Sequence, residues 1–262
     1  MTMPKLAGAL LIASLSLPVG RLPAAESAGP PVVILKLDDV RAFKADRVVH
    51  PNWPRIAAFI ETNGLHAAFG IIGASLETNN PAYFDWLKAQ QAKGVIEFWC
   101  HGYRERTDAD KTGEFDQGTF EEQMAVFERC EKLAVEKLGF PLPAFGPHWS
   151  GTTEATEQAL EAVPEHRIWL YGPEHPKFYH KLSLPRVMGL EDPIFVPDFE
   201  KFKATYERVG ARQKFLVLQG HPPAWYTPER WSGFTNIVMF LKSKGCTFMT
   251  PSGYEKSLAP AK

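Results

Sequence analysis

The sequence predicts an α/β fold built on a parallel sheet, either open or closed into a barrel. Short segments such as residues 32–37 and 215–219 are almost continuously apolar, which is typical of strands buried on both faces. Segments with helical spacing follow them and end at glycines, among them Gly64, Gly94 and Gly245. Because strands and helices alternate in this way, we expect repeated βα units.

The predicted elements extend over most of the chain from residue 32 onward. Strands are expected at 32–37, 65–72, 95–100, 166–171, 215–219 and 246–249, with a strand-like junction at 143–146. Helices are expected at about 53–62, 81–93, 120–138, 154–162, 198–209 and 228–244. Thr119 and Glu122 form a capping box that predicts where the longest helix begins. No element is predicted at 178–197, where prolines interrupt the pattern.

Composition narrows the class of protein further. The 262 residues, 45% of them hydrophobic, can bury the core of one domain, which we place at about residues 30–258. The 23% of charged residues and 12% of aromatic residues exclude a mainly disordered chain. The 29 basic and 30 acidic side chains give no basic patch for nucleic acid, and three cysteines exclude a disulfide scaffold.

Residues 1–25 are predicted to be a secretory signal peptide. Lys5 precedes a short apolar run at 6–19, and small residues lead to a cleavage site after Ala25. The run is too short to span a bilayer, so we expect no membrane anchor after cleavage and a periplasmic or extracellular location. Cleavage would remove Lys5 and Arg21 and no acid, which changes the net charge from −1 to −3.

Side chains that bind metals or transfer protons follow four of the predicted strands. In parallel α/β folds the carboxyl ends of the strands meet at one edge, and active sites lie there. We therefore expect these side chains to converge on one site. They are Asp38 and Asp39, His101 with Glu105 four residues later, His148, and His221.

Two adjacent aspartates and a histidine suit a hydrolytic metal site. One carboxylate can bind a divalent metal while its neighbour stays free as a general base. His101 offers an imidazole, and Glu105 can reach the same ion if the chain turns helically after His101. These ligands favour Zn²⁺, with Co²⁺, Ni²⁺ or Fe²⁺ as alternatives. Such a site leaves coordination positions for water and a substrate carbonyl.

Each of these residues also has a purely structural interpretation. An Asp-Asp pair after a strand often stabilises a turn. His148 and His221 lie next to prolines and can line turns, and Glu105 lies between Arg104 and Arg106, where a surface ion pair contributes little. The coincidence of all of them at strand ends favours the functional interpretation.

Several of these segments resemble the motifs of one known family. Residues 33–39, Val-Ile-Leu-Lys-Leu-Asp-Asp, resemble a strand that ends in a Thr-Phe-Asp-Asp-like motif. Residues 66–73 resemble the family's second strand, and residues 94–103 resemble its second motif. Residues 216–221 resemble its last motif, and residues 242–250 resemble its closing helix-to-strand segment. The family is that of the polysaccharide deacetylases (NodB homology, carbohydrate esterase family 4). The resemblance extends from about residue 32 to 254 and implies a distorted (β/α) barrel with fewer than eight regular units.

The resemblance also implies roles for individual residues. It makes Asp38 the general base, Asp39 and His101 metal ligands, and His221 the group that helps to protonate the leaving group. In the second motif, Glu105 stands where the family has a second histidine. The third motif, residues 145–151, lacks the arginine that orients the catalytic aspartate, so His148 is a candidate for that role or for the third metal ligand. The aspartate-rich fourth motif is not recognisable near residues 166–171.

The function that the resemblance implies is the metal-dependent removal of acetyl groups from an N- or O-acetylated glycan, without a nucleic-acid partner. Backbone N–H groups near His148 and Trp149 are expected to stabilise the oxyanion of the tetrahedral intermediate. The slightly acidic net charge of the chain fits a neutral or basic glycan better than a polyanion. Aromatic side chains in or beside the motifs are candidates for stacking on sugar rings. They are Trp99, Tyr103, Trp149, Trp225, Tyr226 and Trp231.

Two alternatives stay open at this point. The departures in the second and third motifs are compatible with a related metal-dependent amidase that acts on a non-glycan linear amide. A barrel that binds glycans without catalysis is the other alternative, although the presence of Asp38, Asp39, His101 and His221 together argues against it.

Overall fold

The computed structural model describes residues 29–43, 48–105, 107 and 109–259. The predicted signal peptide at residues 1–25 lies outside the described residues. No helix in the described part of the chain is long and apolar enough to cross a membrane.

A parallel sheet of eight strands forms the centre of the fold. Its order is β6–β5–β4–β3–β2–β1–β7, and β8 pairs with the beginning of β1. The strands are β1 (Val32–Val40), β2 (Ala67–Ile71), β3 (Ile96–Cys100), β4 (Ala144–Phe145), β5 (Ile168–Leu170), β6 (Leu182–Leu184), β7 (Phe215–Gly220) and β8 (Thr247–Phe248). The sheet curls into a half-barrel. Since β4 and β8 have only two residues each, fewer than eight of its βα units are regular, and the predicted distorted (β/α) barrel is confirmed.

Helices connect the strands and cover the outer face of the sheet. The capping box of Thr119 and Glu122 begins the longest one, and Gly139 ends it in a left-handed conformation. The helices are α1 (Asn52–Thr62), α2 (Pro81–Ala92), α3 (Phe120–Leu138), α4 (Glu154–Ala162), α5 (Phe199–Arg208), α6 (Pro228–Ser243) and α7 (Pro251–Ser257).

Side chains of β1 alternate between two apolar layers. Val33, Leu35 and Leu37 belong to the large core that packs against the helices. Ile34 belongs to a smaller cluster formed by residues of seven strands and Tyr254, on the opposite face. Because side chains repeat every two residues along a strand, Lys36 and Asp38 follow Ile34 on that inner face.

The structure differs from the sequence predictions mainly in three regions. Residues 178–197 contain β6, which has only three residues. The sequence did not predict this strand, because prolines interrupt the pattern around it. The short helix α7 was also not predicted. The first strand extends to Val40, so Asp38 and Asp39 lie among its last residues rather than beyond its end.

Candidate functional site

The end of β1 presents two adjacent carboxylates to one cavity. Successive side chains of a regular strand point to opposite faces. The pairing of β1 with β2 is irregular between Leu37 and Val40, and Asp39 has a left-handed φ of 74°. This irregularity re-aims Asp39, so that both Asp38 and Asp39 line the same cavity.

Asp39 faces two imidazoles from neighbouring segments. Its Oδ1 lies 3.4 Å from His101 Nε2 and 3.4 Å from His148 Nδ1. The same two imidazole nitrogens are 3.4 Å apart. His101 follows β3, and its Nδ1 lies 2.7 Å from the carbonyl oxygen of Gly146. A proton on Nδ1 that bonds this carbonyl leaves Nε2 as a free lone pair.

These three atoms have the spacing of metal ligands. Three atoms placed tetrahedrally at about 2.0–2.1 Å from Zn²⁺ are separated by roughly 3.4 Å, and the three separations measured in this cluster are all 3.4 Å. Asp39 Oδ1 is buried and accepts no hydrogen bond from any described residue. An orphaned carboxylate oxygen between two imidazoles fits a divalent cation. Among the described residues, Asp39, His101 and His148 form such a group.

Asp38 lies beside this cluster and is held by a buried lysine. Lys36 Nζ is 2.8 Å from both carboxylate oxygens, and Gln219 Nε2 donates to Oδ2 at 2.6 Å. Burial by itself would raise the pKa of Asp38, but Lys36, His101 and His221 outweigh it and hold the pKa below its usual value. Asp38 is therefore ionised and fixed in orientation.

The position of Lys36 depends on its neighbours in the sheet. Lys36 pairs with Gln219 in the register of β1 and β7, so both reach Asp38 from adjacent strands. Its Nζ lies 4.5 Å from the centroid of the Trp99 ring. A Cβ on Gly146 would lie 2.9 Å from Lys36 Cε and 3.2 Å from the carbonyl oxygen of Leu170, so only glycine leaves room there.

A hydrogen-bonded pair, His221 and Glu191, also lies beside Asp38. Glu191 Oε2 is 2.7 Å from His221 Nδ1, and Oε1 accepts from the backbone N–H of His221 at 2.8 Å. His221 Nε2 consequently faces Asp38, 3.9 Å from Oδ2. Burial lowers the pKa of His221, but the bond to Glu191 and the charge of Asp38 outweigh it, so the pKa lies above its usual value.

A cavity of about 520 Å³ brings these groups together. Two aromatic side chains at its rim are partly exposed: 58% of Trp149 and 43% of Phe195. Phe195 also packs edge-on against His221, with ring centroids 4.8 Å apart. The cavity is lined by Asp38, Asp39, His101, His148, Trp149, Ser150, Arg186, Ile194, Phe195, Gln219 and His221.

The structure thus brings six of the residues named from the sequence into one cavity: Asp38, Asp39, His101, His148, Trp149 and His221. Three of the other named site residues lie elsewhere. The carboxylate of Glu105 forms an ion pair with Arg41 and does not line the cavity. Tyr103 donates to Glu77 at 2.8 Å and packs against Arg129. Trp225 is fully buried, and its indole N–H donates to Glu191 at 2.8 Å.

Among the residues of this site that the sequence did not single out are Lys36, Arg186, Glu191 and Gln219. Two of them had a signal in the sequence. Lys36 is the one charged residue in the predicted strand at 32–37, and it precedes Asp38 by two positions, which places both on one face. Gln219 likewise precedes a predicted site residue, His221, by two positions. Glu191 and Arg186 lie in the segment where no pattern was recognisable.

Comparison by sequence gives no relative. No family model matches the chain, and a search of curated proteins finds no significant match.

Comparison by structure gives many similar folds. A chitin deacetylase from Colletotrichum lindemuthianum matches with a TM-score of 0.61 and 15% identity, over 90% of this chain and 91% of its own. A family 4 acetyl xylan esterase from Clostridium thermocellum, in complex with a cobalt ion, matches with a TM-score of 0.55 and 14% identity, over 84% and 88%. A family 4 pseudoenzyme from Bacillus anthracis matches with a TM-score of 0.57 and 11% identity, over 85% and 64%.

Fold and site together define a parallel α/β half-barrel with a cluster of carboxylates and histidines at the carboxyl edge of its sheet. The chain has the fold of the carbohydrate esterase family 4 deacetylases, and the resemblance seen in the sequence is confirmed at this level. Since the pseudoenzyme shares this fold, the activity has to be argued from the residues of the site.

Proposed function

We propose that this protein is an exported, metal-dependent deacetylase of N- or O-acetylated glycans and a divergent member of carbohydrate esterase family 4. The observation that carries the proposal is the group of Asp39, His101 and His148, whose ligand atoms are 3.4 Å apart, beside an ionised Asp38. The similar folds of a chitin deacetylase and an acetyl xylan esterase support a glycan substrate.

Asp39, His101 and His148 are the residues that would hold the metal. Two imidazoles and a carboxylate favour Zn²⁺, with Co²⁺, Ni²⁺ or Fe²⁺ as alternatives. We assign the third ligand to His148 rather than to Glu105, because Glu105 is engaged by Arg41. When bound, a divalent ion supplies a Lewis acid that polarises a carbonyl and acidifies water.

Asp38 and His221 are placed to move the protons of a hydrolysis. The Asp38 carboxylate accepts a proton from the attacking water as the water oxygen bonds to the acetyl carbon. His221, protonated at Nε2, donates its proton to the departing nitrogen or oxygen of the sugar. Acetate and the free amine or hydroxyl are the products. The raised pKa of His221 keeps this donor protonated at higher pH than an ordinary histidine.

Two side chains, Lys36 and Glu191, take the orienting roles for which the family's motifs are altered or absent in this chain. Lys36 orients Asp38, the task that the resemblance assigns to the arginine absent from the third motif. Glu191 orients His221 from the loop after β6. His148 is therefore not needed to orient the base, which supports its assignment as a metal ligand.

The substrate is expected to lie against the aromatic rim of the cavity. Trp149 and Phe195 are exposed there and can stack on sugar rings. Trp225 is unsuited to this role, because it is buried and bonded to Glu191. Export is inferred from the sequence of residues 1–25.

The proposal is tested by acetate release from N-acetylated chitin oligomers and O-acetylated xylan oligomers. Zinc-loaded protein is expected to release acetate from at least one of them, to lose this activity on chelation and to regain it when metal is restored. Small linear amides tested in parallel separate a glycan deacetylase from an amidase. Acetate release that is unaffected by chelation would contradict the metal-dependent mechanism.

Replacement of His148 is expected to weaken metal binding strongly. His148→Ala removes one of three ligands, so zinc affinity should fall by more than about 100-fold, since loss of a partner that only orients a ligand already costs about 10–100-fold. Glu105→Ala is the matched control and should bind zinc like the wild type. Titration against a chelating dye measures both. Loss of affinity in Glu105→Ala with retention in His148→Ala would reverse the assignment.

A further inference from the structure

Arg186 lies where three cavities of the carboxyl edge meet. It lines the catalytic cavity, a side cavity of about 80 Å³ and an outer cavity of about 380 Å³. The side cavity shares Arg186, Ile194 and Gln219 with the catalytic cavity. Gln219 in turn donates to Asp38, so Arg186 borders the space next to the proposed reaction centre.

Among the described residues, the guanidinium of Arg186 contacts an aromatic ring and has no carboxylate partner. It lies 5.3 Å from the centroid of the Tyr171 ring. Gly189 leaves the space for it, because a Cβ at that position would lie 2.9 Å from Nη2. Arg186 is exposed and lines all three cavities, so its charge is available to a ligand there.

Glu191 lines the same side cavity, but its carboxylate oxygens are already engaged by other hydrogen-bond donors. Its carboxylate accepts four N–H groups: the backbone N–H groups of Phe195 and His221, the His221 side chain and the Trp225 indole. A carboxylate bonded in this way does not compete for Arg186. Its remaining negative charge disfavours a dianion such as phosphate in the side cavity and leaves a monoanion as the better ligand.

We propose that Arg186 binds a carboxylate of the substrate, so that the glycan carries a uronic-acid-type sugar beside the acetylated one. This inference rests on the proposed function. A guanidinium binds a planar carboxylate through two parallel N–H bonds, and the side cavity has room for such a small group. Because Arg186 is the one arginine among the described residues that line the three cavities, recognition is local and directed at a single carboxylate rather than at a polyanion.

The test compares oligosaccharides that differ only in this group. The probes are an O-acetylated glucuronoxylan oligosaccharide and a hyaluronan tetrasaccharide, each with its carboxyl-reduced form. For zinc-loaded wild type, we expect kcat/KM to be about 10- to 100-fold higher with the carboxylate present, the range of a charged hydrogen bond. Arg186→Gln should lose this preference, so that its kcat/KM is the same on the two forms of each probe, mainly because KM for the carboxylate form rises. Arg212→Gln is the matched control.

The outcomes separate this inference from the proposed function. Equal rates on both forms, unchanged in Arg186→Gln, would overturn the role of Arg186 and leave the deacetylase standing. If the wild type releases no acetate from any probe, the proposed function fails for these glycans. Calorimetric binding of the same probes then decides the role of Arg186: tighter binding of the carboxylate form, lost in Arg186→Gln, supports it, and equal binding overturns it.

Discussion

Replacing Asp38 with Asn is expected to lower kcat for acetate release by about 10²–10⁴-fold, the usual contribution of a general base. The amide has nearly the shape of the carboxylate, but it cannot accept the proton of the attacking water. Metal affinity should be retained, because Asp38 is not a member of the group formed by Asp39, His101 and His148. Single-turnover acetate assays on zinc-loaded protein measure the effect.

A matched control separates this loss from a general effect of removing charge. Glu105→Gln removes a carboxylate that pairs with Arg41 outside the cavity, and it should leave kcat unchanged. Zinc content and melting temperature of Asp38→Asn are measured alongside. An Asp38→Asn protein that binds zinc and releases acetate at the wild-type rate would exclude Asp38 as the base.

The second large effect is expected from Lys36→Met. This change leaves the Asp38 carboxylate buried without its ammonium partner, and removing one member of a buried ion pair costs about 3–5 kcal/mol of unfolding free energy. The double variant Lys36→Met/Asp38→Asn removes both charges and should recover most of this loss. Lys177→Met, which removes the exposed pair with Glu154, is the matched control and should cost less than about 1 kcal/mol.

The destabilisation by Lys36→Met should also depend on pH in a defined direction. In the wild type the pKa of Asp38 is held below its usual value, chiefly by Lys36 acting against burial. Without Lys36, burial raises this pKa above that of the unfolded chain, so the penalty exists above the unfolded pKa and is relieved as pH falls. Urea unfolding should therefore show the gap to wild type narrowing from pH 7 to pH 4. A constant gap would mean that Lys36 acts by packing alone.

The contacts of Asp38 and His221 come from residues that motif comparison does not single out. Lys36 lies on the same strand as Asp38, the proposed base, two residues before it. Glu191, the partner of His221, comes from the loop after β6. Motif comparison alone therefore leaves the site incomplete.

The sequence by itself determined the sheet and the candidates at its carboxyl edge. Buried parallel strands read as continuous apolar runs, and the capping box and glycines marked the helix ends, so most elements were predicted within a few residues. Since parallel strands end at one edge, Asp38, Asp39, His101, His148 and His221 could be grouped without coordinates. Their position in the sequence carries this information because the connectivity of the fold is regular.

Only the tertiary structure showed where the candidates for the third metal ligand lie. Glu105 was the expected ligand and His148 its alternative, and packing places Glu105 against Arg41 and His148 beside Asp39. Glu191 and Arg186 come from an irregular loop, whose path is set by side-chain bonds to distant residues and not by any local period. Strand periodicity is a local property, whereas ion pairing and loop position depend on which distant segments meet.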